Sequence, residues 1–134
     1  IIINRTTYRL FYFPADENVV YTYPVGIGRT GWETPKGKTR VIEKVAHPVW
    51  HPSKKLQTEA EKNSVFWPDE FPANEANPLG NFALRLGWDG ILIHGTNAAT
   101  SVGMKVSAGC IRMLPEDIEE LYSLVMKGAE VRVY

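Results

Sequence analysis

The sequence predicts a single, mainly β domain over residues 1–134, with one well-defined C-terminal helix and smaller helical turns on its surface. Three observations carry this. Short runs rich in β-branched and aromatic residues, at 1–13, 19–25 and 39–45, are separated by Pro, Gly, Asn and Asp, the composition of strands joined by tight turns. Residues 80–86 place Phe82, Leu84 and Leu86 at alternate positions, so one face of an extended segment is apolar. Near the end the period changes, and Ile118, Leu121, Tyr122 and Val125 fall on one helical face.

Taken in order, residues 1–13 form two opening strands with a turn at 4–7, and residues 19–25 continue an antiparallel sheet. Leu10, Tyr12, Val20 and Tyr23 are the core candidates there. Gly26-Ile27-Gly28-Arg29-Thr30-Gly31 matches G-x-G-x-x-G after a strand, but a dinucleotide fingerprint needs a helix to start within the glycines. Pro35 and Gly37 break any such helix, so the glycines are assigned to turns. Residues 39–45 are a further strand, and the proline-rich 47–52 is expected to be extended. Residues 53–63 carry alternating charges and helix formers, a short surface helix.

Residues 64–78 interleave Phe66, Trp67 and Phe71 with three prolines, a long aromatic loop that either walls a cleft or caps the core. Trp88-Asp89-Gly90 turns the chain into an apolar strand, Ile91-Leu92-Ile93, that stops at His94. Residues 97–103 are a small polar loop, and Met104, Lys105 and Val106 lead back towards the sheet. Pro115 opens the last helix with Glu116 and Asp117 at its positive end, Lys127-Gly128 closes it, and 129–134 is a final strand.

Composition excludes several classes. Hydrophobic residues make up 44% and charged residues 22% of the chain, near globular averages and unlike a disordered segment. Fifteen basic residues balance fifteen acidic ones, without the basic run of a nucleic-acid binder. No apolar stretch is long enough to span a membrane and no signal peptide is visible, although a chain opening on Ile1-Ile2-Ile3 is expected to be a mature or trimmed form.

Chemistry concentrates between residues 91 and 113. Cys110 is the only cysteine, so it forms no internal disulfide, and His94 lies sixteen positions before it. A thiol attacks as the thiolate, and an imidazole within hydrogen-bond reach takes its proton. Ser107-Ala108-Gly109 are small enough to admit a substrate carbonyl and to turn backbone N–H groups towards it, as an oxyanion hole requires. Arg112 offers a bidentate fork either to a substrate carboxylate or to a structural acid. Trp50 and His51 either line a cleft or pack a loop. A zinc site from His47, His51, His94 and Cys110 is disfavoured, because no ligand pair has a metal-site spacing. Serine chemistry of the penicillin-binding type is disfavoured too, since no S-x-x-K is present.

This segment resembles the catalytic motif of the YkuD-type L,D-transpeptidases, the group of the ErfK, YbiS, YcfS and YnhG proteins. Their pattern is His-Gly, then Ser/Thr-x-Gly-Cys, an apolar residue and Arg or Asn; here it reads His94-Gly95-Thr96 and Ser107-Ala108-Gly109-Cys110-Ile111-Arg112. The resemblance extends to Tyr23-Pro24-Val25-Gly26-Ile27-Gly28, Trp32-Glu33-Thr34-Pro35-Lys36-Gly37 and Pro48-Val49-Trp50-His51-Pro52. One departure stands out: many members carry a second His where this chain has Ala108.

The resemblance implies a barrel-like or sandwich-like β domain and acyl transfer from a peptidoglycan tetrapeptide stem, with loss of its terminal D-alanine, to an amine. Cys110 is then the nucleophile, His94 the base and Gly95 its carbonyl partner; Gly109, Ser107, Arg112, Thr96 and Trp50 form the oxyanion and substrate surroundings. The resemblance also implies work outside the cytoplasmic membrane, as a monomer without metal or cofactor, with a stem peptide or a wall-linked lipoprotein as acceptor. A carboxypeptidase on the same scaffold and a non-catalytic wall-binding module are the alternatives.

Overall fold

The computed structural model describes residues 1–74 and 77–134, so Glu75 and Ala76 of the aromatic loop lie outside the described residues. Among the described residues, ten strands and two α-helices follow one another. The strands are β1 (Ile2–Asn4), β2 (Arg9–Tyr12), β3 (Tyr21–Pro24), β4 (Ile27–Gly28), β5 (Gly37–Ala46), β6 (Phe82–Leu86), β7 (Leu92–His94), β8 (Lys105–Ser107), β9 (Ile111–Arg112) and β10 (Glu130–Val133). Helix α1 (Lys54–Lys62) lies between β5 and β6, and α2 (Pro115–Leu124) between β9 and β10. Eight strands form one curled sheet in the order β3-β2-β1-β10-β5-β6-β7-β9, and β4 and β8 pair apart from it.

The local signals read in the sequence form the elements they predict. Asn4 turns β1 into β2 by accepting from the Thr6 and Thr7 N–H groups at 2.9 and 3.1 Å. Ser53 caps α1, its hydroxyl accepting from Leu56 N at 3.2 Å, and Asn63 ends the helix. Leu84 and Leu86 of β6 are fully buried, with Ile93 of β7 and Ile111 of β9 beside them. Ile118 and Leu121 of α2 complete that core, and Tyr23 ties β3 to α2 by donating to Glu120 at 2.6 Å.

Several expectations are corrected. The opening strands pair antiparallel as expected, β1 with β2 and β2 with β3, but the sheet as a whole is mixed, because β10 inserts between β1 and β5, parallel to the first and antiparallel to the second, and β9 pairs parallel to β7. β8 does not rejoin that sheet. It pairs with β4, and glycines at and before β4 let other backbone come close: a Cβ on Gly28 would lie 2.1 Å from the Trp32 carbonyl oxygen, and one on Gly26 2.5 Å from that of Ser101. Only Gly31 of the glycine run takes the left-handed turn conformation, at φ 84°.

Val20 is exposed, since β3 is the edge strand and that position precedes it. His47 is left-handed at φ 51°, not extended, and turns the chain out of β5. α2 stops at Leu124, short of Lys127. Val125 is extended, and Gly128 N–H donates to Val41 O on β5 at 2.7 Å, a tertiary bond that another helical turn would remove.

Candidate active site

The site forms where β7, β8 and β9 end beside the aromatic loop. His94 is the last residue of β7, and its backbone carbonyl accepts from Met113 N at 2.9 Å, which locks the strand end to the segment following Cys110. Its Nδ1 donates to the carbonyl oxygen of Gly95, which leaves the Nε2 lone pair as the basic position of the ring. A side chain at Gly95 would be tight, because a Cβ would lie 3.1 Å from the Ile118 side chain of α2, which would have to shift by a few tenths of an ångström.

The turn carrying the cysteine is held from two sides. Ser107 Oγ donates to the Cys110 carbonyl at 2.6 Å and accepts from Gly109 N at 3.3 Å. From across the chain, Thr34 Oγ1 donates to the Gly109 carbonyl at 2.8 Å while accepting from Gly28 N at 3.0 Å. Gly109 sits at φ 110°, a conformation that only glycine adopts readily. Thr34 was not singled out as a site residue from the sequence. Its signal was its place in Trp32-Glu33-Thr34-Pro35-Lys36-Gly37, but the hydroxyl's partners are not neighbours in sequence.

Replacing Thr34 with valine keeps the shape and removes both bonds at a buried position, so stability falls by about 1–3 kcal/mol. The Gly109 turn loosens with it, and thermal melting beside the initial alkylation rate of Cys110 checks both effects. A melting curve unchanged from wild type contradicts this account of Thr34.

The Cys110 thiol is half-buried, accepts from Leu92 N at 3.4 Å and donates to the Gly90 carbonyl at 3.5 Å. No hydrogen bond joins it to His94 among the described residues, so the pair expected from the sequence is adjacent but not engaged at rest. Burial sets the protonation of both. It pushes the Cys110 thiol up, with Leu92 N–H and the Arg112 charge opposing, and it brings His94 down to about 4, with the Gly95 carbonyl opposing and the Arg112 charge assisting. The resting pair is therefore a neutral thiol and a neutral imidazole.

Two cavities meet at Cys110. One, of about 170 Å³, is lined by His94, Cys110, Ser107, Ala108, Arg29 and Arg112, with Trp50, Trp67 and Leu79 forming its wall. The other, of about 370 Å³, is lined by Cys110, Gly90, Leu92, Trp50, His51, Glu43 and Arg85. Trp50 lines both. It packs against Phe71 with ring centroids 4.9 Å apart and against Trp67 at 5.5 Å, while its backbone pairs with Phe71 in both directions. The aromatic loop thus walls the cleft.

Arg112 is anchored on β9, exchanging backbone hydrogen bonds with Gly26 at 2.8 and 3.0 Å, and its buried Nε lacks a partner. Among the described residues, no acidic side chain claims it in the way a structural ion pair would. Thr96 does not join the cleft: it is buried, accepts from Ala98 N at 2.9 Å and lines a separate cavity, because the chain turns away after Gly95. His47 packs beside Phe82, and the exposed His51 lies 3.9 Å from Glu70. Neither converges with His94.

Comparison with known proteins places this geometry. The L,D-transpeptidase catalytic domain family, YkuD, matches residues 1–133. The chain is 40% identical over 137 residues to the probable L,D-transpeptidase YcfS of Escherichia coli K12, an alignment covering 99% of the chain and 43% of that protein. It is 38% identical over 134 residues to the probable L,D-transpeptidase ErfK/SrfK of the same organism, again covering 99% and 43%. The chain thus spans less than half the length of these relatives.

Among solved structures, an L,D-transpeptidase from Mycobacterium smegmatis superposes with a TM-score of 0.76 at 22% identity, covering 99% of this chain and 57% of that one. An Enterococcus faecium L,D-transpeptidase gives 0.74 at 20% identity, with coverage of 99% and 48%. Identity this low carries the fold alone, and it is the same curled mixed sheet. The family match and the relatives near 40% identity carry the assignment: this chain belongs to the YkuD family of L,D-transpeptidase catalytic domains.

Proposed function

We propose that this chain catalyses acyl transfer from a peptidoglycan tetrapeptide stem to an amine, with Cys110 as nucleophile and His94 as proton carrier. The observation that carries the reading is that Cys110 and His94 open on one cavity with Arg112 beside them. Cys110 and His94 line that cavity together, and catalytic contacts of this kind commonly tighten only once substrate is bound. His94 Nε2 takes the thiol proton as Sγ attacks the carbonyl preceding the terminal D-alanine. The C–N bond then breaks, the proton passes to the departing amine, and a thioester remains.

An acceptor amine attacks the thioester, gives its proton to His94 and displaces the thiolate, forming the new amide. Gly109 N–H is turned to Ser107, so the Cys110 N–H is the donor that the turn offers the oxyanion. Arg112, with its unpartnered Nε, holds the terminal carboxylate of the donor. The donor occupies the cavity with the two guanidinium groups, and the acceptor amine approaches through the other, on the Gly90 side of Cys110. The absence of a side chain beyond Cβ at Ala108 widens the donor cavity and leaves His94 as the only imidazole of the motif. The reaction takes place outside the cytoplasmic membrane, the domain acts as a monomer, and a second stem or a wall-linked lipoprotein serves as acceptor.

Mass spectrometry of the domain with tetrapeptide muropeptides, with and without an added amine, tests this. The expected result is loss of D-alanine together with a product joined to the amine. Loss of D-alanine with water as the sole acceptor makes the chain a carboxypeptidase. An unchanged donor over a well-folded protein rejects the donor class.

A further inference from the structure

The donor cavity holds a second guanidinium that the reaction above leaves without a task. Arg29 and Arg112 both line it, and no Asp or Glu does among the described residues. The two cations are close enough for Arg29 to help hold down the Arg112 pKa, after burial, the larger effect. Arg29 is firmly placed. Its backbone N–H donates to Ser107 O at 2.8 Å, on the strand that leads to Cys110, and its guanidinium lies over the Trp32 ring, 4.9 Å from the centroid. Lys55 of α1 lies 3.8 Å from the same centroid, which crowds positive charge around Trp32.

Among the described residues, the anion on Arg29 comes from outside the cavity. Glu59 of α1 accepts from Arg29 at 2.6 Å, with side chains 37% and 43% exposed for Arg29 and Glu59. An ion pair this exposed holds little net free energy, so another carboxylate displaces it easily. We propose that Arg29 is a specificity residue that reads a second carboxylate on the donor, the one on the side chain of the residue whose carbonyl Cys110 attacks. Glu59 holds the guanidinium in place until that carboxylate arrives.

The inference rests on the tetrapeptide-donor reading. Charge supports it: a stem whose third residue ends in a free carboxylate brings two negative charges to a site with two guanidiniums. A stem with that carboxylate amidated brings one. Arg112 is two residues from Cys110 and faces the terminal carboxylate; Arg29, more exposed, meets the side chain that points outward.

The test compares kcat/KM for two tetrapeptide muropeptides that differ only in whether the side-chain carboxylate of the third residue is free or amidated. Wild type is expected to favour the free acid by about tenfold, mostly through KM. Arg29→Gln removes that preference by lowering kcat/KM for the free acid towards that for the amidated donor, Arg29→Lys keeps part of it, and Glu59→Gln lowers KM for the free acid alone. Equal losses on both donors in Arg29→Gln, or a preference that survives it, overturns the inference while the donor reading stands. Turnover of neither donor by wild type overturns both. Should Arg29→Gln fold poorly, the Lys and Glu59→Gln arms decide, since a structural role predicts no donor discrimination in either.

Discussion

Replacing Cys110 with alanine is expected to lower D-alanine release by about 10⁴-fold or more, the scale at which removing a covalent nucleophile ends its pathway. No other group stands ready to take its place. It is the only cysteine of the chain, and Ser107, the hydroxyl that lines the cavity with it, has its oxygen committed to the Cys110 carbonyl and the Gly109 N–H. The fold should tolerate the change. The thiol contributes only two long contacts, to Leu92 N and Gly90 O, at a half-buried position, so melting shifts by the equivalent of about 1 kcal/mol or less.

The Cys110→Ala protein should also retain donor binding, because Arg29, Arg112 and the Trp50 wall are untouched. Turnover in that variant would remove Cys110 from the reaction. Binding by wild type with no turnover and a thiol inert to alkylation would instead point to a wall-binding module.

The second large effect concerns His94. His94→Gln should reduce turnover by about 10²–10⁴-fold, the usual contribution of a positioned proton carrier. Its protonation also makes stability depend on pH. The imidazole titrates at about 4 in the fold and at about 6.5 when unfolded, so between those values the unfolded chain binds the extra proton. Stability from this group is fully present above about 6.5, declines as pH falls, and is lost by about 4. The difference corresponds to about 3 kcal/mol.

Urea unfolding from pH 7 to 4 should therefore show a smaller acid loss in His94→Gln than in wild type. Parallel curves for the two proteins contradict a buried neutral imidazole. Alkylation of Cys110 should rise with pH along a single limb centred above the ordinary thiol value, since burial raises its pKa. A rate flat from pH 5 to 8 would mean that a thiolate–imidazolium pair already exists at rest.

Much of this site is legible in one dimension. Cys110 after three small residues, His94 at the end of an apolar run and the ordered motif between them mark the candidate site, and Pro115 and Ser53 announce their helices. Trp50 reads as a cleft candidate because aromatic residues interleaved with prolines cannot form a regular element. Where the reading fails, the cause is distance along the chain. Thr34 holds a turn 75 residues away, and Thr96 shares the motif yet faces another cavity.

The sequence by itself determined which groups have reactive chemistry, where most of the strands lie, and where the two α-helices begin, because periodicity, capping and residue chemistry act over a few neighbouring positions. Only the tertiary structure decided that β10 lies between β1 and β5, that β8 pairs with β4, that Cys110 rests against Gly90 rather than His94, and that Arg29 joins Arg112 in one cavity. Those outcomes depend on segments remote in sequence competing for the same hydrogen bonds, and on burial, which acts through everything packed around a group rather than through its neighbours in the chain.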